Sequence, residues 1–208
     1  MGQLEIALTK FFGEEGLALI QSKRIGIAGA GGLGSNCAQM LVRCGFRKLT
    51  LVDFDKIEMS NLNRQFFFMS QVGQSKVEAL KKNLLDINPD LEIKLFENKI
   101  EPANVAQFFI DCDAVIEALD SPVYKRLVVE TYLGGGKLVV AASGLAGWGQ
   151  RDQIKTHRIK DDFFVVGDLV TEVDENSPPV APGVVLAAAK QADVVLSYFL
   201  GKRTKGCD

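Results

Sequence analysis

Residues 24–34 read RIGIAGAGGLG, and the rest of the architecture can be built outward from this segment. Its apolar start predicts a buried strand, and its glycines predict a tight turn that leads into a helix. Glycines let the backbone approach a phosphate closely, and a helix N-terminus offers free N–H groups with a partial positive charge. The segment therefore predicts a nucleotide-binding turn, formed by Gly29, Gly31, Gly32 and Gly34.

Strands and helices are predicted to alternate after this turn. Alternation implies right-handed crossovers, so we expect an α/β, Rossmann-like fold with a mostly parallel twisted sheet and helices on both faces. Antiparallel segments are expected after residue 144, followed by a flexible loop at 168–183, and residues 1–22 are predicted to form one or two short helices. Further strands are predicted at 48–53, 91–96, 114–118 and 137–142, and helices at 32–45, 72–88, 103–110, 124–133 and 184–200.

Length and composition fit one domain spanning 1–208, since 47% of the residues are hydrophobic. The formal net charge of -2 argues against a general nucleic-acid binder, because such domains usually carry a basic surplus. No signal peptide is visible. The richest apolar stretch, 184–200, is interrupted by Lys190, Gln191 and Asp193, so it is expected to be too short and too polar to span a bilayer. We expect a cytoplasmic protein with no membrane or nucleic-acid partner.

The four cysteines form no C-x-x-C pair, so no structural zinc is expected and a reducing compartment is the simpler interpretation. Cys37 and Cys44 share one face of a predicted helix and are expected to be buried. Cys207 lies in a polar tail and is expected to be dispensable. His157, the single histidine, has no visible acid or nucleophile beside it, so no catalytic role is predicted for it.

Acidic and basic residues after the second predicted strand indicate whether the ligand is a dinucleotide cofactor or a nucleoside triphosphate. Asp53 ends that strand, where an acid accepts hydrogen bonds from a ribose, and alone it favours a nicotinamide or flavin cofactor. A dinucleotide does not need the cations that follow, whereas a triphosphate does, because its charge must be neutralised for attack at phosphorus. The alternative is that these cations are ordinary surface residues. The candidate nucleotide ligands after Asp53 are Asp55, Asn61, Arg64, Gln65 and Lys76.

Asp120 follows the fourth predicted strand, at the edge of the sheet where ligands of open α/β sheets sit. A carboxylate there could hold Mg²⁺ against phosphate oxygens. The sequence Asp120-Ser121-Pro122 is also a good helix start, so Asp120 could instead be the N-cap of the next helix. The sequence leaves both roles open.

The motifs GAGGLGSN, LVDFD, NLNRQ, VGQSK and ALDSPVYKR occur in this order within residues 24–150. In combination they resemble the ThiF/MoeB family, adenylyltransferases that are the prokaryotic relatives of ubiquitin-activating enzymes. The later segments DDFFVVGD and PPVAPGVVLAAAKQAD resemble the short ThiF-like proteins that are linked to thiamine biosynthesis.

This resemblance implies an ATP- and Mg²⁺-dependent enzyme that adenylates the C-terminal Gly-Gly carboxylate of a ubiquitin-like sulfur carrier. The carrier would be ThiS-like, or its relative MoaD, and the enzyme would be a homodimer. The glycine turn would line the ATP site, Asp53 would bind the ribose, and Asp120 would bind magnesium and assist adenylation. The resemblance places the phosphates among Asn61, Arg64, Gln65 and Lys76.

Two departures from the family pattern change the expected chemistry. Family members often carry an N-terminal arginine that reaches the partner subunit's ATP, but no arginine precedes Arg24 here. Residues 113–206 contain no cysteine, so we expect the reaction to stop at the acyl-adenylate and a separate protein to donate sulfur. The loop at 168–183 is the candidate for closing over the carrier tail.

Three other functions fit part of the pattern. A dehydratase of the same superfamily would activate a carboxylate on a modified tRNA nucleoside, although the net charge of -2 speaks against it. An NAD-dependent oxidoreductase would use Asp53 but leaves Arg64, Lys76 and Asp120 unexplained. A binding module that has lost its chemistry is compatible with the missing N-terminal arginine.

Overall fold

A computed structural model describes residues 2–201, in which seven strands form one sheet of order β3-β2-β1-β4-β5-β7-β6. The strands are β1 (Arg24–Ala28), β2 (Lys48–Val52), β3 (Glu92–Phe96), β4 (Ala114–Glu117), β5 (Leu138–Ala142), β6 (Lys155–Lys160) and β7 (Phe163–Gly167). The α-helices are α1 (Gln3–Ser22), α2 (Gly32–Arg43), α3 (Lys76–Ile87), α4 (Val105–Phe108), α5 (Pro122–Tyr132) and α6 (Ala181–Leu200).

Strands β1 to β5 and β7 pair in parallel, and β6 alone runs antiparallel to its neighbour β7. The predicted α/β, Rossmann-like class is therefore confirmed. The antiparallel expectation after residue 144 holds for β6, whereas β7 joins β5 in parallel. Strand order reverses between β1 and β4, so the crevice beyond their carboxyl ends is the expected place for a ligand.

Helices cover both faces at the centre of the sheet, so every residue of β1, β4 and β5 is buried and most of them are apolar. On one face, β1 and β2 pack with α2, α3 and α6 in the larger core cluster. On the other face, α4 and α5 enclose a smaller cluster around Phe109. Gly26 in β1 makes room for this ring, because a Cβ there would lie 2.4 Å from a ring carbon of Phe109.

Residues 1–22 form helix as expected, whereas several later helix boundaries depart from the sequence pattern. Helix α1 is broken at Gly13, whose φ of 73° is not helical, so the one element contains two helical segments. The helix predicted at 72–88 begins only at Lys76. Residues 73–76 are held in a turn by backbone bonds to Asp55 and Ile57, and these tertiary pairings replace the expected first helical turn.

Helix α6 begins at Ala181, three residues before the predicted start, so it has 20 residues and a mean hydropathy of 1.4 in its most apolar window. The expectation that this stretch is too short and too polar to cross a membrane is therefore wrong by length and composition. Core helices of soluble proteins can have the same length and hydropathy. Helix α6 packs against α2, β5 and β7. Its buried residues join the larger core cluster.

Candidate nucleotide-binding site

The glycine turn lies between β1 and α2 at the carboxyl edge of the sheet. Gly29 has a φ of 99° and donates its N–H to the Val52 carbonyl oxygen at 2.8 Å. A Cβ on Gly34 would lie 1.8 Å from the Gly29 carbonyl oxygen, so no larger residue fits there. The turn is thus compact enough for the first N–H groups of α2 to face a ligand.

Asp53 follows β2 and its carboxylate lies against the glycine turn. Its Oδ2 accepts a hydrogen bond from the Ala30 N–H at 2.6 Å, and its Oδ1 accepts one from the Asp55 N–H at 2.8 Å. Burial raises the pKa of the carboxyl group, while these bonds and the charge of Lys76 oppose the rise. The acid is therefore fixed beside the turn, in the place where a ribose is expected.

The polar segment after β2 folds back over the glycine turn. A 3-10 helix, Met59–Asn63, is stabilised by buried Asn61, whose Oδ1 accepts the Glu58 N–H at 3.1 Å. The stem of Arg64 then covers Gly32, and the Gln65 amide nitrogen lies 3.8 Å from where a Gly31 Cβ would stand. Gln65 Oε1 is buried and has no hydrogen-bond partner within residues 2–201. A polar ligand in the turn would satisfy it.

Lys76 stands in the first turn of α3 with only 7% of its surface exposed. Its ammonium group binds Asp55 Oδ2 at 2.7 Å, and its backbone N–H donates to the Asp55 carbonyl oxygen at 3.0 Å. The sequence predicts Asp55 as a nucleotide ligand, and the structure shows it as the residue that holds Lys76.

Asp120 lies exposed in the turn between β4 and α5. The N-cap of α5 is Ser121, so the alternative that Asp120 caps this helix is wrong. The turn approaches the glycine turn closely, because a Cβ on Gly29 would lie 2.7 Å from the Ala118 carbonyl oxygen. A carboxylate at this edge is available to a cation, as the magnesium hypothesis requires.

The predicted magnesium site can be compared with the donor groups present. Within residues 2–201 there is no group of three or more His, Cys, Asp or Glu side chains that could hold a metal ion. Magnesium is commonly held by one or two carboxylates together with substrate phosphates and water, so Asp120 fits that mode and needs no protein cage.

Two polar residues of the site were not singled out from the sequence. Asn36 in α2 is buried, and its Nδ2 donates to the carbonyl oxygens of Gly32 at 2.7 Å and Arg64 at 2.8 Å. It therefore ties the glycine turn to the segment that carries Arg64. Glu117, at the end of β4, is wholly buried and bound to Lys125. Glu117 could have been identified from the sequence, because it is the one acid inside the apolar run AVIEA at 114–118.

The long segment before α6 borders the site. Asn63 Nδ2 donates to the Pro179 carbonyl oxygen at 3.4 Å, and the Gly147 N–H donates to the Pro178 carbonyl oxygen at 3.1 Å. The first turn of α6 reaches the glycine turn directly, since Val184 lies 2.9 Å from the position of a Gly32 Cβ. The predicted loop at 168–183 is thus beside the nucleotide turn, and its closing movement stays a prediction.

The thiols described in the structure are poorly suited to nucleophilic attack. Burial raises the pKa of Cys37 and Cys44, and it raises that of Cys112 to about 11. Reactive cysteines have the opposite shift. Cys207 lies outside the described residues. His157 contacts the Gly167 carbonyl oxygen at 3.0 Å, within the β6–β7 hairpin.

The glycine turn, the acid fixed beside it and the cations that follow define a Rossmann-like protein of the nucleotide-binding class. The sequence profile of the ThiF family matches residues 3–203, and the chain therefore belongs to this family, as the resemblance predicted.

The relatives found by sequence are longer than this chain. Ubiquitin-like modifier-activating enzyme 5 of Bombyx mori is 45% identical over 187 residues, covering 89% of this chain and 44% of the relative. Adenylyltransferase and sulfurtransferase UBA4 of Candida glabrata is 35% identical over 139 residues, covering 66% of this chain and 32% of the relative. The chain thus spans less than half the length of these relatives.

Solved structures with the same fold include two from E. coli. The tRNA N6-threonylcarbamoyladenosine dehydratase TcdA, in complex with AMP, aligns with a TM-score of 0.84 and 22% identity, covering 93% of this chain and 92% of that one. MccB with ATP aligns with a TM-score of 0.68 and 20% identity, covering 89% of this chain and 58% of that one. At such identities these matches establish the fold alone.

Proposed function

We propose that this chain adenylates the C-terminal carboxylate of a small ubiquitin-like carrier protein, using ATP and magnesium. The observation that carries the proposal is the cationic segment that folds back over a Rossmann glycine turn, with Arg64 on Gly32 and Lys76 held beside Asp53 and Asp55. The names of the relatives in Bombyx mori and Candida glabrata support a ubiquitin-like substrate and an adenylyl transfer.

Each predicted residue has a place in this proposal. The glycine turn holds the nucleotide, and Asp53 binds the ribose. Arg64 supplies a planar fork for phosphate oxygens, whereas Lys76 supplies a compact charge. Asn61 and Gln65 would contact the phosphates from the same segment, and Asp55 holds the Lys76 ammonium group in position. Bound to Asp120, magnesium would neutralise charge on the phosphate chain.

The reaction is a substitution at phosphorus. A carboxylate oxygen of the carrier forms a bond to the α-phosphorus of ATP, and the bond from that phosphorus to the bridging oxygen of pyrophosphate breaks. The nucleophile is ionised at neutral pH, so no general base is needed. The chain's contribution is to orient the two anions and to offset their repulsion, which is a large share of such catalysis.

We place the carrier in the sulfur-transfer class, with a ThiS-like Gly-Gly terminus for thiamine thiazole formation as first choice and a MoaD-type carrier as second. The thiamine assignment rests on the resemblance of residues 161–168 and 178–193 to short ThiF-like proteins. The buried thiols leave sulfur delivery to a separate donor protein.

The tRNA-nucleoside dehydratase is the second candidate, favoured by the whole-chain alignment with TcdA. Against it stand the net charge of -2 and the higher sequence identity to ubiquitin-like modifier-activating enzymes. An NAD-dependent oxidoreductase would not explain why Lys76 is held beside Asp53 and Asp55, because a dinucleotide does not need this cation.

The deciding experiment is ATP–pyrophosphate exchange with a panel of purified carriers, each compared with a variant that lacks its last glycine. We expect exchange with one intact carrier and none with its truncated form. Exchange driven by modified tRNA instead would support the dehydratase. Tight NAD binding with no exchange from any carboxylate would contradict adenylation altogether.

A further inference from the structure

A buried carboxylate at the end of β4 has no part in the reaction as described above. Glu117 is completely buried, and its Oε1 accepts the Leu119 N–H at 2.7 Å. The Lys125 ammonium group, on α5, binds Oε1 at 3.1 Å and Oε2 at 3.0 Å. Burial raises the pKa of Glu117, and the charge and hydrogen bonds of Lys125 oppose that rise.

Contacts around this pair join four elements, β4, β5, α5 and α6, at one point. Lys125 also donates to the Ala142 carbonyl oxygen at the end of β5, at 3.1 Å. From α6, Gln191 Nε2 donates to the Glu117 carbonyl oxygen at 3.1 Å and contacts that of Val140 at 3.4 Å. Side chain and backbone of Glu117 are therefore both fixed from outside β4.

What these contacts fix is the turn that follows β4. The Ala118 N–H donates to the Ala28 carbonyl oxygen at 2.9 Å, and the Ala118 carbonyl oxygen lies against Gly29. Glu117 holds the next N–H, that of Leu119. The backbone leading to Asp120 is thus held on one side by the glycine turn and on the other by Glu117.

Stability alone is a poor reason for an ion pair at this place. Replacing a buried pair by apolar residues of similar volume is often neutral or stabilising, because the pair loses its hydration. The value of Glu117 then lies in its geometry, because its Oε1 accepts hydrogen bonds from the Leu119 N–H and from Lys125 together.

We propose that Glu117 and Lys125 form a positioning pair that holds Asp120 at the edge of the glycine turn, where it can meet a cation on the phosphate chain. The inference rests on the proposed function, since it assigns the pair to the magnesium-dependent part of adenylation. Neither residue is a catalytic residue, because both act through the backbone of residues 118–120.

The test compares the double variant Glu117→Met/Lys125→Met with the parent protein. Lys23→Met is the control, because it removes an ion pair with Asp113, just before the start of β4. The two lysines are matched in exposure, at 27% for the Lys23 side chain and 25% for that of Lys125. Three quantities are measured: the magnesium concentration for half-maximal ATP–pyrophosphate exchange, the affinity for ATP both with magnesium and in EDTA, and hydrogen exchange of the Leu119 amide. Thermal unfolding shows that each variant is folded.

We expect the double variant to unfold no earlier than the parent, yet to need about tenfold or more magnesium, as for other residues that orient metal ligands. Its affinity for ATP in EDTA should stay within about twofold, and the Leu119 amide should exchange faster. Lys23→Met should match the parent in all three. If the double variant does not fold, Lys125→Gln, which keeps Glu117, is measured in the same way.

A double variant with unchanged magnesium dependence and unchanged Leu119 exchange would overturn the inference. Equal losses of ATP affinity with and without magnesium would also do so, because they indicate general damage to the turn. A parent protein that binds ATP but gives no exchange with any carrier contradicts the proposed function instead. In that case the magnesium dependence of ATP binding and the Leu119 amide still test the pair.

Discussion

Lys76 combines burial with a defined ionic partner. Its ammonium nitrogen lies 2.7 Å from Asp55 Oδ2, and the side chain is almost entirely shielded from solvent. The side chain is thus positioned by α3 and Asp55 before a nucleotide arrives, rather than left mobile on the surface. The alternative that Lys76 is an ordinary solvated cation is wrong, since almost none of its surface is exposed.

Replacing Lys76 by Ala should weaken ATP binding or exchange by at least about tenfold, because one charge-assisted contact contributes about 1.5–3 kcal/mol. Isothermal titration with MgATP measures the binding step. Lys82→Ala is the control, because Lys82 is exposed on the same helix. Equal affinity of parent and Lys76→Ala would remove Lys76 from the phosphate site.

Asp120→Asn should abolish most adenylation while leaving the melting temperature unchanged. The change removes the charge that a magnesium ion needs, and the exposed side chain takes no part in the core. Exchange rates and thermal melts are compared with those of Asp86→Asn, an exposed acid on α3. Full activity per folded molecule would show that Asp120 holds no metal.

At the scale of elements, the central strands could be predicted from the sequence because burial on both faces makes them short, mainly apolar runs. Strand β6 is polar and exposed, so its sequence indicated only an extended segment. The glycine turn was predictable for a similar reason, since its pattern is local. The start of α3 was not, because backbone pairing with Ile57 decides it. The roles of Asn36 and Glu117 could not be predicted from the sequence, because the hydrogen-bond partners of both residues include groups on distant segments that meet only in the folded chain.

The glycine turn itself should tolerate no side chain at Gly34. An added methyl group would collide with the Gly29 carbonyl oxygen, and relieving such overpacking costs about 3 kcal/mol. Gly34→Ala should therefore lower the melting temperature by roughly 6–12 °C, given about 2–4 °C per kcal/mol at this chain length. Gly135→Ala is the control, since its Cβ would meet nothing closer than 3.4 Å. Equal melting of both variants would contradict the close packing of the turn.

For the molecule as a whole, we expect a homodimer. Several large apolar side chains remain exposed within residues 2–201, among them Ile6 and Tyr198 on α1 and α6. A second copy would cover such surface. Light scattering at micromolar concentration should return twice the chain mass of 22.7 kDa. A monomer mass under these conditions would exclude the dimer.

The chain is also expected to release an acyl-adenylate without forming a thioester or persulfide on itself. Cys37 and Cys112 are buried and their pKa values are raised, so neither thiol supplies a thiolate at neutral pH. Non-reducing mass spectrometry of chain, carrier and MgATP is compared with the Cys207→Ser variant. A stoichiometric adduct that persists in Cys207→Ser would refute this expectation.

The contact between Val184 and Gly32 has a consequence for how the protein is made on the ribosome. The helix that packs against the glycine turn, α6, emerges about 150 residues after it. At about 5–20 residues per second, this interval lasts roughly 8–30 s. During that time the apolar side of α2 lacks its partner, so the nascent chain needs protection from association with other chains. The packing of α6 against the glycine turn is therefore completed only after this interval.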